Sequence, residues 1–303
     1  MPKISTYFIV NPFSGVSNNK NFYNQVTENL DLDKFNFDIK FTEYAGHATK
    51  LAEEATKFYD LIVAVGGDGT VNEVAQALRG TDKILGVLPA GSGNGYATHI
   101  GYGRKISQAL QKMNSGKSIR IDTCTLNEHL FINMAGAGFD AKVAYLTRKN
   151  KLRGLIGYLR TTFATAFSHQ MQNFEIEVDG NSFSQICLTV NVANGPMFGY
   201  SVEVAPSAIL NDGLLDFVMF KKTHKIFYFL SLWRSLNKSI YKAKFVEHRR
   251  CREVRIKSKD SFFFHLDGEG NRTNQDLHFK IHPKTLNAWM PKSYPAEIID
   301  PMS

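Results

Sequence analysis

The feature that most constrains this chain is a rhythm in its first 120 or so residues. Short apolar runs each end in a turn of glycine or small polar residues, and most then pass into a segment of helical periodicity. LIVAVGGDGTVNEVAQAL, residues 61–78, shows the unit whole. LIVAV is apolar throughout, as a strand covered on both faces must be. In VNEVAQALRG, Val71, Val74, Ala75 and Leu78 recur at helical spacing and a glycine stops the run. STYFIV closing in NPFSG, FDIKF, HATKLAEEATKFY, ILGVLP and ISQALQKMNSG continue the pattern. Repeated strand–helix–strand units imply right-handed crossovers and a doubly wound parallel sheet.

Near residue 120 the pattern changes. IRIDTCTL and HLFINMA flank the turn Asn127-Glu128, and FEIEV and SQICLTVNVAN flank Asp179-Gly180-Asn181, a strong hairpin signal. LLDFVMF, EVRIKS, FFFHL and LHFKI are further short strands. A mostly antiparallel β domain is therefore expected, interrupted by helical stretches at about 141–168 and 223–243. The boundary falls near Arg120 to Asn127. We divide the chain into 1–124, 125–290 and a tail, 291–303, that packs back on the first domain.

Composition narrows the class. With 43% hydrophobic and 21% charged residues, the 303-residue chain reads as folded and globular. Its strongest apolar run, IFYFLSLW, is far below the roughly 18 residues of a spanning helix, and MPKISTYFIVNP lacks the regions of a secretory leader. Three dispersed cysteines and nine histidines without paired-ligand spacing indicate neither a disulfide framework nor a zinc site. A cytoplasmic protein is expected. The net charge of +8 points to anionic partners, either nucleotide, nucleic acid or lipid surface.

The GGDGT turn concentrates the chemical signal. Thr70 stands where an N-cap belongs, and Glu73 would complete a capping box. A glycine turn entering a helix offers free N–H groups and a favourable dipole to a phosphate. An ordinary glycine-rich αβ connection would look similar. Three other strands, however, end in turns of the same kind: Asn11-Pro12-Phe13-Ser14-Gly15, Thr42 with Gly46-His47-Ala48, and Leu88-Pro89-Ala90-Gly91-Ser92-Gly93-Asn94. Ligands gather at the carboxyl edge of such sheets, and four such turns read as a nucleotide cradle. No GxxxxGK[ST] occurs. GAGFDA at 136–141 fits a dinucleotide fingerprint, but the ribose-binding acid about 20 residues on is missing. Its glycines are assigned a structural role.

The ordered series NPxSG, Thr42 with GHA, GGDGTVNEV, LPAGSGN, NMAGAGFDA, ANG at 193–195, APSAILNDGLLD at 205–216 and DGEG at 267–270 resembles the diacylglycerol kinase catalytic family. That family includes bacterial lipid kinases and the sphingosine and ceramide kinases. The resemblance implies an ATP-dependent kinase: an α/β nucleotide-binding domain, then an antiparallel β-sandwich that takes the lipid acceptor, with the active site in the cleft between. It further implies nucleotide contacts at Asn11, Ser14, Thr42, the run Gly66, Gly67, Asp68, Gly69, Thr70, Val71 and Asn72, and Ser92. Asp68 would help to place Mg2+ and phosphates, and Asp212 with the Leu214 carbonyl would hold a second Mg2+. Asp267 and Glu269 match the proposed general base. The chain departs from many bacterial members at Gly95, where they carry Asp; GSGN before a small residue is closer to sphingosine-kinase-like members.

Phosphoryl transfer needs such a set, because it depends on in-line positioning and charge neutralisation, with a carboxylate to take the acceptor proton. Asp267 and Glu269 are two residues apart, so on an extended chain both would face one side. Asp267-Gly268 also reads as a plain hairpin turn, and which acid is the base stays open. An NAD kinase is the main rival; Asn127-Glu128 is similar to its dinucleotide-gripping pair but sits at a turn, and LPAGSGN replaces its glycine-aromatic loop. A non-catalytic nucleotide or lipid binder is the other rival. No nucleic-acid module is apparent. On the lipid side, basic and aromatic residues interleave across 221–245, as on an anionic membrane surface, or as on a core helix with a solvated basic face. The 141–167 segment reads as an acyl-chain gate or as a cover for the sandwich. A homodimer is expected.

Overall fold

The computed structural model describes residues 2–14, 19–149, 154–196, 203–223, 234 and 239–294. They fall into two units, Met1–Ile121 with Lys284–Ser303, and Asp122–Pro283.

The first unit is an α/β layer. Strands β1 (Ile4–Val10), β2 (Phe35–Phe41), β3 (Leu61–Gly66) and β4 (Ile84–Pro89) pair in the order β4-β3-β1-β2, all parallel. A late strand, β15 (Leu277–Met290), adds to the β4 edge through Asn287 and Ala288, again parallel. Every residue of β3 is buried, as LIVAV required. Helices α1 (Asn19–Asn29) and α5 (Ile106–Met113) pack on each other, as do α2 (His47–Ala55) and α3 (Asp68–Leu78). A short α4 (Gly95–His99) follows β4. The end of β15 is locked in by Trp289: its Nε1–H donates to the Met113 carbonyl at 3.0 Å, and its own carbonyl accepts the Tyr102 hydroxyl at 3.0 Å.

The second unit is antiparallel in the strand pairings among its described residues. Its strands are β5 (Lys117–Leu126), which starts in the first unit, β6 (His129–Phe131), β7 (Met134–Gly138), β8 (Gln172–Val178), β9 (Asn181–Ala193), β10 (Leu215–Lys221), β11 (Val246–Cys251), β12 (Glu253–Lys257), β13 (Phe262–Leu266) and β14 (Glu269–Thr273). The order β14-β13-β7-β9-β8-β12-β15 carries one ladder, and β10 joins β9 to β11. β9 pairs β8 through Cys187 and β7 from Thr189 onward, the change of partner by which one long strand serves a sandwich. Phe174, Val190, Phe217, Val254, Phe262 and Phe279 lie in its apolar core. Cys124, Cys187 and Cys251 are buried there and form no disulfide. Helices α6 (Phe139–Lys149) and α7 (Gly154–Ser168) pack on each other.

The fold class is thus the expected one, an α/β parallel-sheet domain followed by an antiparallel β-sandwich. Differences lie in the short elements. α1 and α4 carry little sequence signal, because NKNFYNQVTEN is polar and GYATH spans five residues. β14 begins inside the DGEG motif. Most of the basic-aromatic segment 221–245 lies outside the described residues.

Candidate functional site

The C-terminal ends of β1, β2, β3 and β4 share one edge, since all four run parallel. GGDGT stands at its centre, and α3 begins at Asp68 with Gly67 as N-cap and no side-chain cap bond. This corrects the capping-box expectation. Thr70 is buried inside the first turn, and its hydroxyl accepts a hydrogen bond from Asn11 Nδ2 at 3.1 Å. Asn11 closes its own turn as well, its Oδ1 accepting the Phe13 N–H at 3.0 Å. Ser14 ends the short 3-10 turn Pro12–Ser14 next to it.

The glycines act by close approach. A Cβ on Gly66 would stand 2.4 Å from Thr70 Oγ1, and one on Gly91 would stand 2.4 Å from the Gly67 Cα. The turn after β3 and the turn after β4 are therefore in backbone contact. The second turn is shaped by Asn94, left-handed at φ 50, whose Oδ1 accepts the Gly91 N–H at 2.8 Å. Ser92 lies on it, and its carbonyl accepts from Arg104 at 3.1 Å.

Asp68 joins the same two turns. Its Oδ2 accepts the Gly95 N–H and its Oδ1 the Tyr96 N–H, both at 3.0 Å, so it caps α4. Burial pushes its pKa up, against the pull of those two amides. Gly95 thus contributes a backbone donor to Asp68. Thr42 is buried at the end of β2, with its N–H on the Val10 carbonyl. Val71 is buried and Asn72 half-buried on α3.

The second constellation is the β13–β14 hairpin. Leu266 pairs with Glu269, leaving a two-residue turn, and Asp267 and Gly268 have φ 44 and 88. Both central residues are left-handed, the type I′ geometry of tight hairpins. Asp267 is therefore not on extended chain, which corrects the expectation that both acids face one side of a strand. Its carboxylate accepts three backbone N–H groups, from Ile132 on Oδ2 at 3.1 Å and from Asn133 and Met134 on Oδ1 at 3.0 Å each. Glu269 is exposed, with Arg148 Nη1 at 4.0 Å.

Asp212 lies on the turn before β10. Its Oδ2 is ion-paired to Arg250 and its Oδ1 accepts the Leu214 N–H at 2.9 Å. The adjacent Gly213 N–H donates to Asp122 at 2.7 Å. Oxygen ligands are what Mg2+ takes, but the guanidinium already balances the Asp212 charge. As arranged, Asp212 and Leu214 do not fit a dedicated cation set. Among the described residues no group of three or more His, Cys, Asp and Glu is placed to hold a metal.

A third cluster leaves little trace in the sequence. Asp140, at the start of α6, accepts from the Thr189 hydroxyl and lies 3.8 Å from His265 Nε2, which is 3.3 Å from Asn191 Oδ1. Burial opposes ionisation of Asp140; the His265 ring and the Thr189 and Asn191 side chains outweigh it and hold the carboxyl below its usual range. A Cβ on Gly136 would meet Asn191 Oδ1 at 2.5 Å, so the glycine of GAGFDA makes room for this cluster. The one signal is the fingerprint match itself, whose meaning is packing.

Comparisons with known proteins agree with this fold. Residues 5–126 match the diacylglycerol kinase catalytic domain, and residues 133–290 the YegS C-terminal NAD kinase beta sandwich-like domain. The chain is 30% identical over 268 residues to the diacylglycerol kinase of Bacillus subtilis (strain 168), covering 86% of this chain and 88% of that protein. It is 30% identical over 266 residues to the lipid kinase YegS of Escherichia coli (strain K12), covering 85% and 87%. The solved structure of a diacylglycerol kinase from Bacillus anthracis str. Sterne matches with a TM-score of 0.75 over 97% of this chain and all of that one, at 19% identity, a likeness of fold. Across most of its length, the chain belongs to the diacylglycerol kinase catalytic family of lipid kinases.

Proposed function

We propose that this protein transfers the γ-phosphate of ATP, taken up with Mg2+, to a hydroxyl of a diacylglycerol-like or sphingoid-base-like lipid. The observation that carries this reading is the parallel-strand edge, where Asn11, Thr70, Asp68 and the Gly67–Gly91 contact form one backbone-rich surface. The first amides of α3 have no partner within the helix and face the end where the dipole favours phosphate. Asp68 keeps further lone pairs beyond its two amide bonds, and is the carboxylate suited to the metal that accompanies the nucleotide. That metal would neutralise charge on the phosphates.

In the transfer, the acceptor oxygen bonds to the γ-phosphorus as the bond to the β–γ bridging oxygen breaks, and ADP leaves. We assign the acceptor proton to Glu269, whose carboxylate is exposed, and a positioning role to Asp267, whose oxygens are engaged by three amides. Ser14, Thr42 and Ser92 line the nucleotide turns in this reading. The domains divide the work, 1–124 for nucleotide and 125–290 for lipid. Peripheral contact with an anionic membrane is supported by α7, where Ile156 is 77% and Phe163 49% exposed with Arg160 exposed between them. No helix among the described residues is long and apolar enough to cross a membrane.

The test is transfer of labelled γ-phosphate from ATP with Mg2+ to dispersed diacylglycerol, monoacylglycerol, sphingosine, ceramide and NAD, with Asp68→Asn as control. A labelled lipid, lost in the control, is the expected result. Label on NAD alone would overturn the lipid assignment, and binding of ATP without transfer to any acceptor would favour a non-catalytic binder.

A further inference from the structure

Helix α2 has no cap of its own. Its N-cap is Gly46, left-handed at φ 81, and no side chain from that position reaches the helix. The cap comes from α3. Glu73 accepts the Gly46 N–H on Oε1 at 3.0 Å and the Ala48 N–H on Oε2 at 3.1 Å. Its main-chain carbonyl accepts the Thr49 hydroxyl at 3.0 Å. A carboxylate thus stands at the positive end of a neighbouring helix, with both oxygens directed at one turn.

That turn is otherwise held locally. His47 Nδ1 accepts the Glu43 N–H at 3.0 Å, and the His47 ring stacks on Tyr44 at 4.5 Å between centroids. At its start, Thr42 donates its N–H to the Val10 carbonyl at 2.9 Å. Glu73 therefore links the helix that opens with GGDGT to the turn that opens with Thr42. These are two of the four turns on the edge, and they are separated by a strand and a helix in the chain.

We propose that Glu73 is a positioning residue for the nucleotide: its carboxylate fixes the 42–48 turn against α3, so that the two turns meet ATP as one preformed surface. The proposal rests on the nucleotide-binding reading of this edge. Glu73→Gln keeps the size of the side chain but offers an amide nitrogen to one of two N–H donors, so one bond is lost. ATP binding by calorimetry, steady-state kinetics and amide exchange are the measurements.

The expected result is a rise of about tenfold in Kd and KM for ATP, with the lipid KM unchanged and the melting temperature lowered by the loss of one cap bond. Faster exchange at Gly46 and Ala48 is expected alongside. Should Glu73→Gln lose helix content, Glu73→Asp, too short to span both amides, carries the same expectation. ATP binding by the variant equal to wild type would overturn the role of Glu73, as would equal rises in the ATP and lipid KM. Wild-type protein that binds no ATP would remove the nucleotide reading itself, and this inference with it.

Discussion

The β13–β14 and β8–β9 hairpins turn on the same dipeptide with the same backbone, Asp267-Gly268 at φ 44 and 88 and Asp179-Gly180 at φ 46 and 83. Both glycines have open space where a Cβ would stand. The two differ in the groups each aspartate holds and in the residue that opens the second strand. Asp179 is exposed, and one of its oxygens accepts the N–H groups of Arg252 and Glu253 at 2.9 Å each. Asp267 is half-buried and uses both oxygens on the 132–134 segment, which leads into β7. The second strand opens with Glu269 in one hairpin and with Asn181 in the other. The turn itself is architecture in both places; in the proposed reaction the acceptor proton would go to the exposed carboxylate beyond it.

The largest effect expected from that difference is at Glu269. Glu269→Gln should lower kcat about a thousandfold with little change in melting, whereas Asn181→Ala should leave kcat alone. Wild-type kcat in Glu269→Gln would move the base to Asp267. Next, Asp267→Asn should lower kcat about a hundredfold and cost about 2 kcal/mol of stability, because one amide facing it loses its acceptor. Asp179→Asn should cost about 1 kcal/mol and leave kcat unchanged. Denaturant melts beside kinetics separate the two, and a kcat loss in Asp179→Asn would break the contrast between the hairpins.

Asp212→Ala tests a third acid-bearing turn. It removes the carboxylate paired with the mostly buried Arg250, for a stability loss of about 2 kcal/mol, and should leave the Mg2+ concentration for half-maximal rate unchanged. A shifted Mg2+ titration would restore the cation role that the Arg250 pair argues against. The smallest effect is in acid. Burial, with Lys142 nearby, pushes the His169 pKa down to about 4. The unfolded chain protonates near 6.5 and the folded one near 4, so stability is lost as pH falls through that window. With its partial exposure discounted, the loss is about 1–2 kcal/mol. His169→Gln should flatten that part of a melting-versus-pH curve.

The parts of this molecule that are legible in the sequence are those set by local periodicity. LIVAV became a fully buried strand, and Asp179-Gly180 a two-residue hairpin. Turn chemistry is less legible, since Thr70 looks like an N-cap by position but is pulled inside the helix by Asn11, 59 residues away. Glu73 shows the same limit. Three residues after a threonine it reads as half of a capping box, yet its oxygens go to amides 25 and 27 residues earlier. Long-range partners of a carboxylate leave no mark in local spacing. Motif order marks the candidate site residues, but their division into amide-holding and exposed acids shows only in three dimensions.

The contact of Gly67 with Gly91 has a consequence for exchange of parts among related enzymes. With a Gly91 Cβ falling 2.4 Å from the Gly67 Cα, the two turns are a matched pair. A chimaera that imports the LPAGSGN segment from a donor with any side chain at position 91 would displace the GGDGT backbone, however similar the remaining residues. Grafts should therefore carry residues 66–96 as one block, so that Asp68 arrives together with the Gly95 and Tyr96 amides it holds.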